Sequence, residues 1–149
     1  MPTILVVEDS RFLRLANERL LSKAGYHVIC AGDGEEALKI LETSHPDLVL
    51  LDMLLPKLGG PEVLRAVKQN VETKDIPIIV LSSLSQKNEQ RLKAEGAAAF
   101  LEKSMLLSHP DLLLFTIRKL LSVDHGKDVL VPGSTLTATG LAGPEMAAF

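Results

Sequence analysis

The sequence predicts a parallel, doubly wound α/β sheet of five strands, and three observations carry that prediction. Short apolar runs alternate with longer amphipathic ones five times over. The short runs are continuous rather than alternating, as strands are when helices cover both faces of a sheet. The composition, 46% hydrophobic and 23% charged over 149 residues, is that of a globular chain able to supply a full core. Aromatics make up only 3% and Trp is absent, so that core is expected to be aliphatic.

Taken in order, "TILVV" (3–7) reads as the first strand. In "SRFLRLANERLLSKAG", Leu13, Ala16, Leu20 and Ala24 recur at helical spacing on one face, with Ser10 as N-cap and Gly25 as the stop. "HVIC" is the second strand. "DGEEALKILETS" is a helix with acidic residues in its first turn, where the helix dipole favours them. "PDLVLL" is the third strand, and "GGPEVLRAVKQN" a helix with Pro61 near its first turn. "IPIIVLS" is the fourth strand. "SQKNEQRLKAEG" is a mostly polar helix in which Glu89 and Lys93 have the favourable four-residue spacing. "AAFLEK" is the fifth strand, and "PDLLLFTIRKLLS" a fifth helix with Leu113, Ile117, Leu120 and Leu121 on or near one face. After Val123 the chain turns rich in Gly, Ala, Thr and Pro without a period. The expected organisation is therefore one domain over residues 1–123, then a flexible or docked tail over 124–149.

Composition also limits function. The formal net charge of −3 argues against nucleic acid as a direct partner, because phosphate binding needs a basic face. The single cysteine, Cys30, lies in an apolar strand-like run and reads as a small buried hydrophobe. No apolar stretch reaches the length of a membrane span, and the start lacks a signal-peptide pattern, so a cytoplasmic location without a membrane partner is expected.

In a doubly wound sheet the functional crevice lies beyond the carboxyl ends of the strands. Glu8 and Asp9 follow strand one, Asp52 ends strand three, Ser82 and Ser83 end strand four, and Lys103 ends strand five. Three converging carboxylates repel unless a cation sits among them. Oxygen ligands without His or Cys suit a hard ion such as Mg²⁺, which takes one or two carboxylates plus a phosphate oxygen. A lysine and a hydroxyl nearby are what a phosphoryl group needs. An aspartate can itself be the nucleophile, giving an acyl phosphate. The pattern points to phosphorylation of Asp52 with Mg²⁺ as cofactor.

These segments resemble the receiver domain of two-component response regulators. "ILVVEDS", "PDLVLLDMLLPKLGGPEVL", "IPIIVLSS" and "GAAAFLEKS" are similar to its four motifs, in the family's order, over about residues 3–122. The resemblance implies a (βα)5 flavodoxin-like sheet in strand order 2-1-3-4-5. It implies Asp52 as phospho-acceptor, Glu8 and Asp9 as Mg²⁺ ligands with the backbone carbonyl of Leu54, and Lys103 and Ser82 at the phosphoryl group. Ser82 and Phe100 match the switch positions. It further implies a sensor histidine kinase or phosphotransfer protein as donor, and output through a surface of fourth helix, fifth strand and fifth helix, which is also a candidate homodimer face. Such a protein is expected to be a stand-alone signalling domain, and not an enzyme beyond its own phosphorylation and slow dephosphorylation. The sequence departs from the family at Ser104, where a proline through a cis peptide is usual, and mildly at Ser83, where Ala is common. Leu54 and Leu84 flank the path of the hydrolytic water in the family. Both are apolar, which implies slow loss of phosphate.

Other readings carry less. "GDGEEA" matches a dinucleotide pattern, but Asp33, Glu35 and Glu36 would face the pyrophosphate with three negative charges. His27, His45, His109 and His125 have no metal-ligand spacing. An aspartate-nucleophile phosphatase needs a second Asp two residues after the first, where Leu54 stands. A receiver-like scaffold that works without phosphorylation draws its support from Ser104 alone.

Overall fold

The computed structural model describes residues 1–82 and 89–129. The expectations at Ser83 and Leu84, and those for residues 130–149, lie outside the described residues. Five strands form one sheet: β1 (Thr3–Val7), β2 (His27–Ala31), β3 (Leu48–Asp52), β4 (Ile78–Ser82) and β5 (Ala99–Glu102). Their order is β2-β1-β3-β4-β5 and every neighbouring pair is parallel. The helices are α1 (Arg11–Lys23), α2 (Gly34–Thr43), α3 (Gly60–Gln69), α4 (Glu89–Ala94), α5 (Lys103–Ser108) and α6 (Pro110–Val129).

The continuous apolar runs are central strands buried on both faces. All five residues of β3 and of β4 are buried. Leu5, Val7, Val49, Leu51, Ile78 and Val80 belong to one core cluster with Ala37, Leu41, Val63, Leu64 and Val67 from α2 and α3. Ile4, Val6, Leu48, Leu50 and Ile79 are equally buried and, by the pleat, point to the opposite face. Each such side chain contributes about 1.5–3 kcal/mol by leaving water, so the two central strands are the firmest support available for anything at their ends.

Several local signals act as expected. The Ser10 hydroxyl accepts from Leu13 N at 3.3 Å and caps α1. Gly25 takes φ +101° just past its end, a conformation that L side chains rarely adopt. Asp33 caps α2 by accepting from Glu36 N at 2.8 Å, while Glu36 accepts in return from Gly32 N at 2.7 Å. The "GDGEEA" amides thus serve their own carboxylates.

Two places hold more than residue spacing alone conveys. The α1 stripe is not core: Leu21 is the buried residue of α1, Leu13 and Leu20 are half-buried, and Ala16 and Ala24 are exposed. Helical spacing shows which residues share a face, not what covers it. β5 stops at Glu102, one residue before the expected strand end at Lys103, and the chain does not pass through a loop there. It turns directly into α5, a helix of six residues, before α6 begins at Pro110. No described peptide bond is cis, so the Lys103–Ser104 bond is trans. The chain divides into two compact units, Met1–Thr116 and Ile117–Phe149. The sheet and the site below lie wholly in the first.

Candidate functional site

Asp52 closes β3 and is only 1% exposed. A carboxylate so buried needs partners. Leu54 N donates to its Oδ1 at 3.2 Å, and Lys103 Nζ donates to its Oδ2 at 2.9 Å. The loop that follows is tied back by Gly60 N donating to Met53 O at 3.3 Å. It fits because residue 60 has no side chain: a Cβ there would lie 2.5 Å from both Asp52 O and Met53 Cα.

Glu8 follows β1 and is also 1% exposed. Its Oε2 accepts from Ser10 N at 3.1 Å, and its backbone carbonyl accepts from Arg14 Nη1 at 2.8 Å. Its Oε1 lies 3.0 Å from Lys103 Nζ yet receives no hydrogen bond of good geometry. Burial pushes the Glu8 carboxyl above its ordinary range and the charge on Asp52 adds to this; the Ser10 amide and the Lys103 ammonium oppose it. For Lys103, burial pulls the ammonium down, but the hydrogen bond to Asp52 and the close Glu8 carboxylate outweigh it and hold the pKa above the lysine norm. Asp9, one residue on, is exposed. Each of Glu8, Asp9 and Asp52 has a carboxylate oxygen within 4.8 Å of the other two.

The donor set fits Mg²⁺. It is all oxygen, it carries three negative charges against one lysine, and Glu8 Oε1 is a buried acceptor not yet satisfied. The exposure of Asp9 leaves a wet side for the waters that Mg²⁺ keeps.

The other sequence-derived positions fall nearby or farther off. Ser82 ends β4, 1% exposed, one residue beyond the Asp52–Leu81 pair of the ladder. Phe100 is half-buried in β5, paired with Val80 and packed against the core cluster. Leu54, two residues after Asp52, is 59% exposed. Sequence reasoning did not single out Ser10 or Arg14 as holders of Glu8. The acidic pair directly before a helix was the available signal.

The family model of the response regulator receiver domain matches residues 4–114. The chain belongs to that family: it is a receiver domain of the response regulators. A probable transcriptional regulator, ycf27 of Porphyridium aerugineum, is 44% identical over 87 residues, 58% of this chain and 35% of that protein. The polar-differentiation response regulator DivK of Brucella ovis is 32% identical over 102 residues, 68% of this chain and 83% of that protein. The solved structure of response regulator TrrA from Thermotoga maritima, in complex with Mg²⁺ and BeF, superposes with a TM-score of 0.71 at 32% identity, covering 80% of this chain and 99% of that one. The chain thus spans about a third of the first relative and most of the second. No helix among the described residues is long and apolar enough to cross a membrane.

Proposed function

We propose that this chain is a phosphorylation-dependent switch in two-component signalling, with Asp52 as the acceptor. The observation that carries the reading is the Lys103 ammonium held within 3.0 Å of both Asp52 and Glu8, at the mouth of a three-carboxylate cluster. An Asp52 oxygen attacks phosphorus on a phosphohistidine of a sensor kinase or phosphotransfer protein. The new P–O bond forms as the P–N bond breaks, and the histidine leaves with the electron pair. Lys103 then pairs with the phosphoryl oxygens and Ser82 donates to them. Glu8, Asp9, Asp52 and the Leu54 carbonyl would hold Mg²⁺, which neutralises charge on the phosphoryl oxygens when bound. Mg²⁺ and BeF in the TrrA complex support the same assignment here.

Output follows from partner binding on the surface of α4, β5 and the start of α6, where a second copy of the chain is one candidate partner. Ser82 and Phe100 would pass the phosphorylated state to that surface. The DivK relative, most of whose length this chain spans, is a response regulator, which supports a signalling role here. Residues 1–123 would form the switch and 124–149 a tail. The scaffold reading drew its support from Ser104, yet Lys103 reaches Asp52 across a trans bond to that serine.

Intact mass after incubation with acetyl phosphate tests the proposal. The expected result is a gain of one phosphoryl group that needs both Mg²⁺ and Asp52, absent in Asp52→Ala. No gain under any condition would overturn it in favour of the scaffold.

A further inference from the structure

The apolar stripe of α1 lines an open cavity of about 260 Å³ rather than a core. Leu13, Ala16 and Leu20 form one wall, and Leu106 of α5 with Pro110 the other. Glu8, Lys103 and Asn17 give it a polar part. A cavity of about 150 Å³ already holds a benzene molecule when its walls are apolar. This one has room for a ring or short alkyl body with a polar head.

The polar part selects the head. Glu8 Oε1 is buried and belongs to a lining residue; Lys103 Nζ lies 3.0 Å away as an ion pair, yet no hydrogen bond of good geometry reaches it. The carboxylates of Glu8, Asp9 and Asp52 stand against two cationic groups, Lys103 and the Arg14 guanidinium on the Glu8 carbonyl. An anion would meet surplus negative charge there, whereas an N–H donor with positive charge would supply the hydrogen bond that Glu8 Oε1 lacks.

We propose that this cavity binds a small amphipathic cation, its ammonium at the Glu8 carboxylate and its apolar body between α1 and α5. The site does not depend on phosphorylation of Asp52. One consequence rests on the Mg²⁺ reading above: both cations draw on Glu8, so each weakens the other by the same factor. A ligand wedged against Leu106 would also bear on α5, the helix that begins at Lys103.

The test titrates benzylamine into the ¹⁵N-labelled full chain, with benzyl alcohol and benzoate as neutral and anionic comparators. Saturable amide shifts centred on Asn17 and Leu106, in the order benzylamine, benzyl alcohol, benzoate, are expected. Ala16→Leu, an exposed position, and Leu106→Trp fill the cavity from opposite walls. Each should weaken benzylamine at least tenfold. No saturable shift, benzoate binding as well as benzylamine, or undiminished binding in both filled variants would overturn the site. Calorimetry with Mg²⁺ then separates the two claims. Mg²⁺ that binds and raises the apparent Kd of benzylamine several-fold supports the shared carboxylate, and Mg²⁺ that binds without this effect removes it. Absence of Mg²⁺ binding would count against the metal reading and leave the benzylamine result standing.

Discussion

Asp52 ends a strand whose five residues are all buried, so its charge persists only with partners. Lys103 supplies one, and the Leu54 amide another. Leu54 also presents an apolar side chain two residues after Asp52, 59% exposed. It cannot hydrogen-bond to a water and orient it for attack on phosphorus. The acyl phosphate on Asp52 is therefore expected to outlast a half-life of seconds, and Leu54→Asn to shorten it. Decay followed by intact mass decides, and loss within seconds in the natural chain would refute the reading. A second lysine gives a prediction far from the site. Lys68 Nζ donates to Lys74 O at 2.9 Å and Ile76 O at 2.8 Å. Burial pushes its pKa below the ordinary 10.5, with Asp75 opposing. The unfolded chain then binds this proton more tightly than the native one, so the stability it contributes rises as pH climbs toward 10.5. Lys68→Met should cost about 0.5–1.5 kcal/mol at neutral pH through the loss of two hydrogen bonds, one of them exposed. In urea unfolding its deficit should widen, not narrow, as the pH is raised toward that value.

The loop between β3 and α3 depends on glycine at two contacts. A Cβ on Gly60 would strike the Asp52 and Met53 backbone, and one on Gly34 would strike the Leu58 carbonyl. Gly60→Ala should destabilise the fold by about 1–3 kcal/mol in urea unfolding, the cost of overpacking against backbone that cannot swing away. Unchanged stability would mean that the loop is not held as described. The fold and the site differ in how far they could be read without coordinates. Strand runs such as "LVLLD" and the cap at Ser10 were legible because burial on both faces and an N-cap hydroxyl leave local marks. The convergence of Glu8, Asp9, Asp52 and Lys103 was legible because parallel topology brings strand ends together. Helix α5 was not, since "KSMLLS" is under two turns and too short to show a period. Nor was the cavity, because the spacing of Leu13, Ala16 and Leu20 is the same whether a helix is covered or open.

The carboxylate cluster couples the site to the stability of the sheet that carries it. Glu8 and Asp52 stand at the ends of neighbouring parallel strands, β1 and β3, in the middle of the sheet. Their mutual repulsion bears on the native state and is relieved on unfolding, when the two segments separate. Lys103 offsets part of it, bridging from β5's end. A cation bound by the folded arrangement and not by the unfolded chain would offset more. Its contribution is RT ln(1 + [Mg²⁺]/Kd), about 2.7 kcal/mol at a hundredfold excess over Kd. A domain of this size gains roughly 2–8 °C in Tm per kcal/mol. Thermal unfolding of the full chain should therefore move up by several degrees on adding Mg²⁺ and return on adding EDTA. Asp9→Asn is the informative variant, because Asp9 is exposed and its loss should leave the metal-free fold nearly unchanged. It should unfold at about the natural Tm without Mg²⁺ and lose most of the upward shift with it. A shift that survives Asp9→Asn would place the ion elsewhere. No shift in the natural chain would leave the receiver fold intact and take the metal out of its switch.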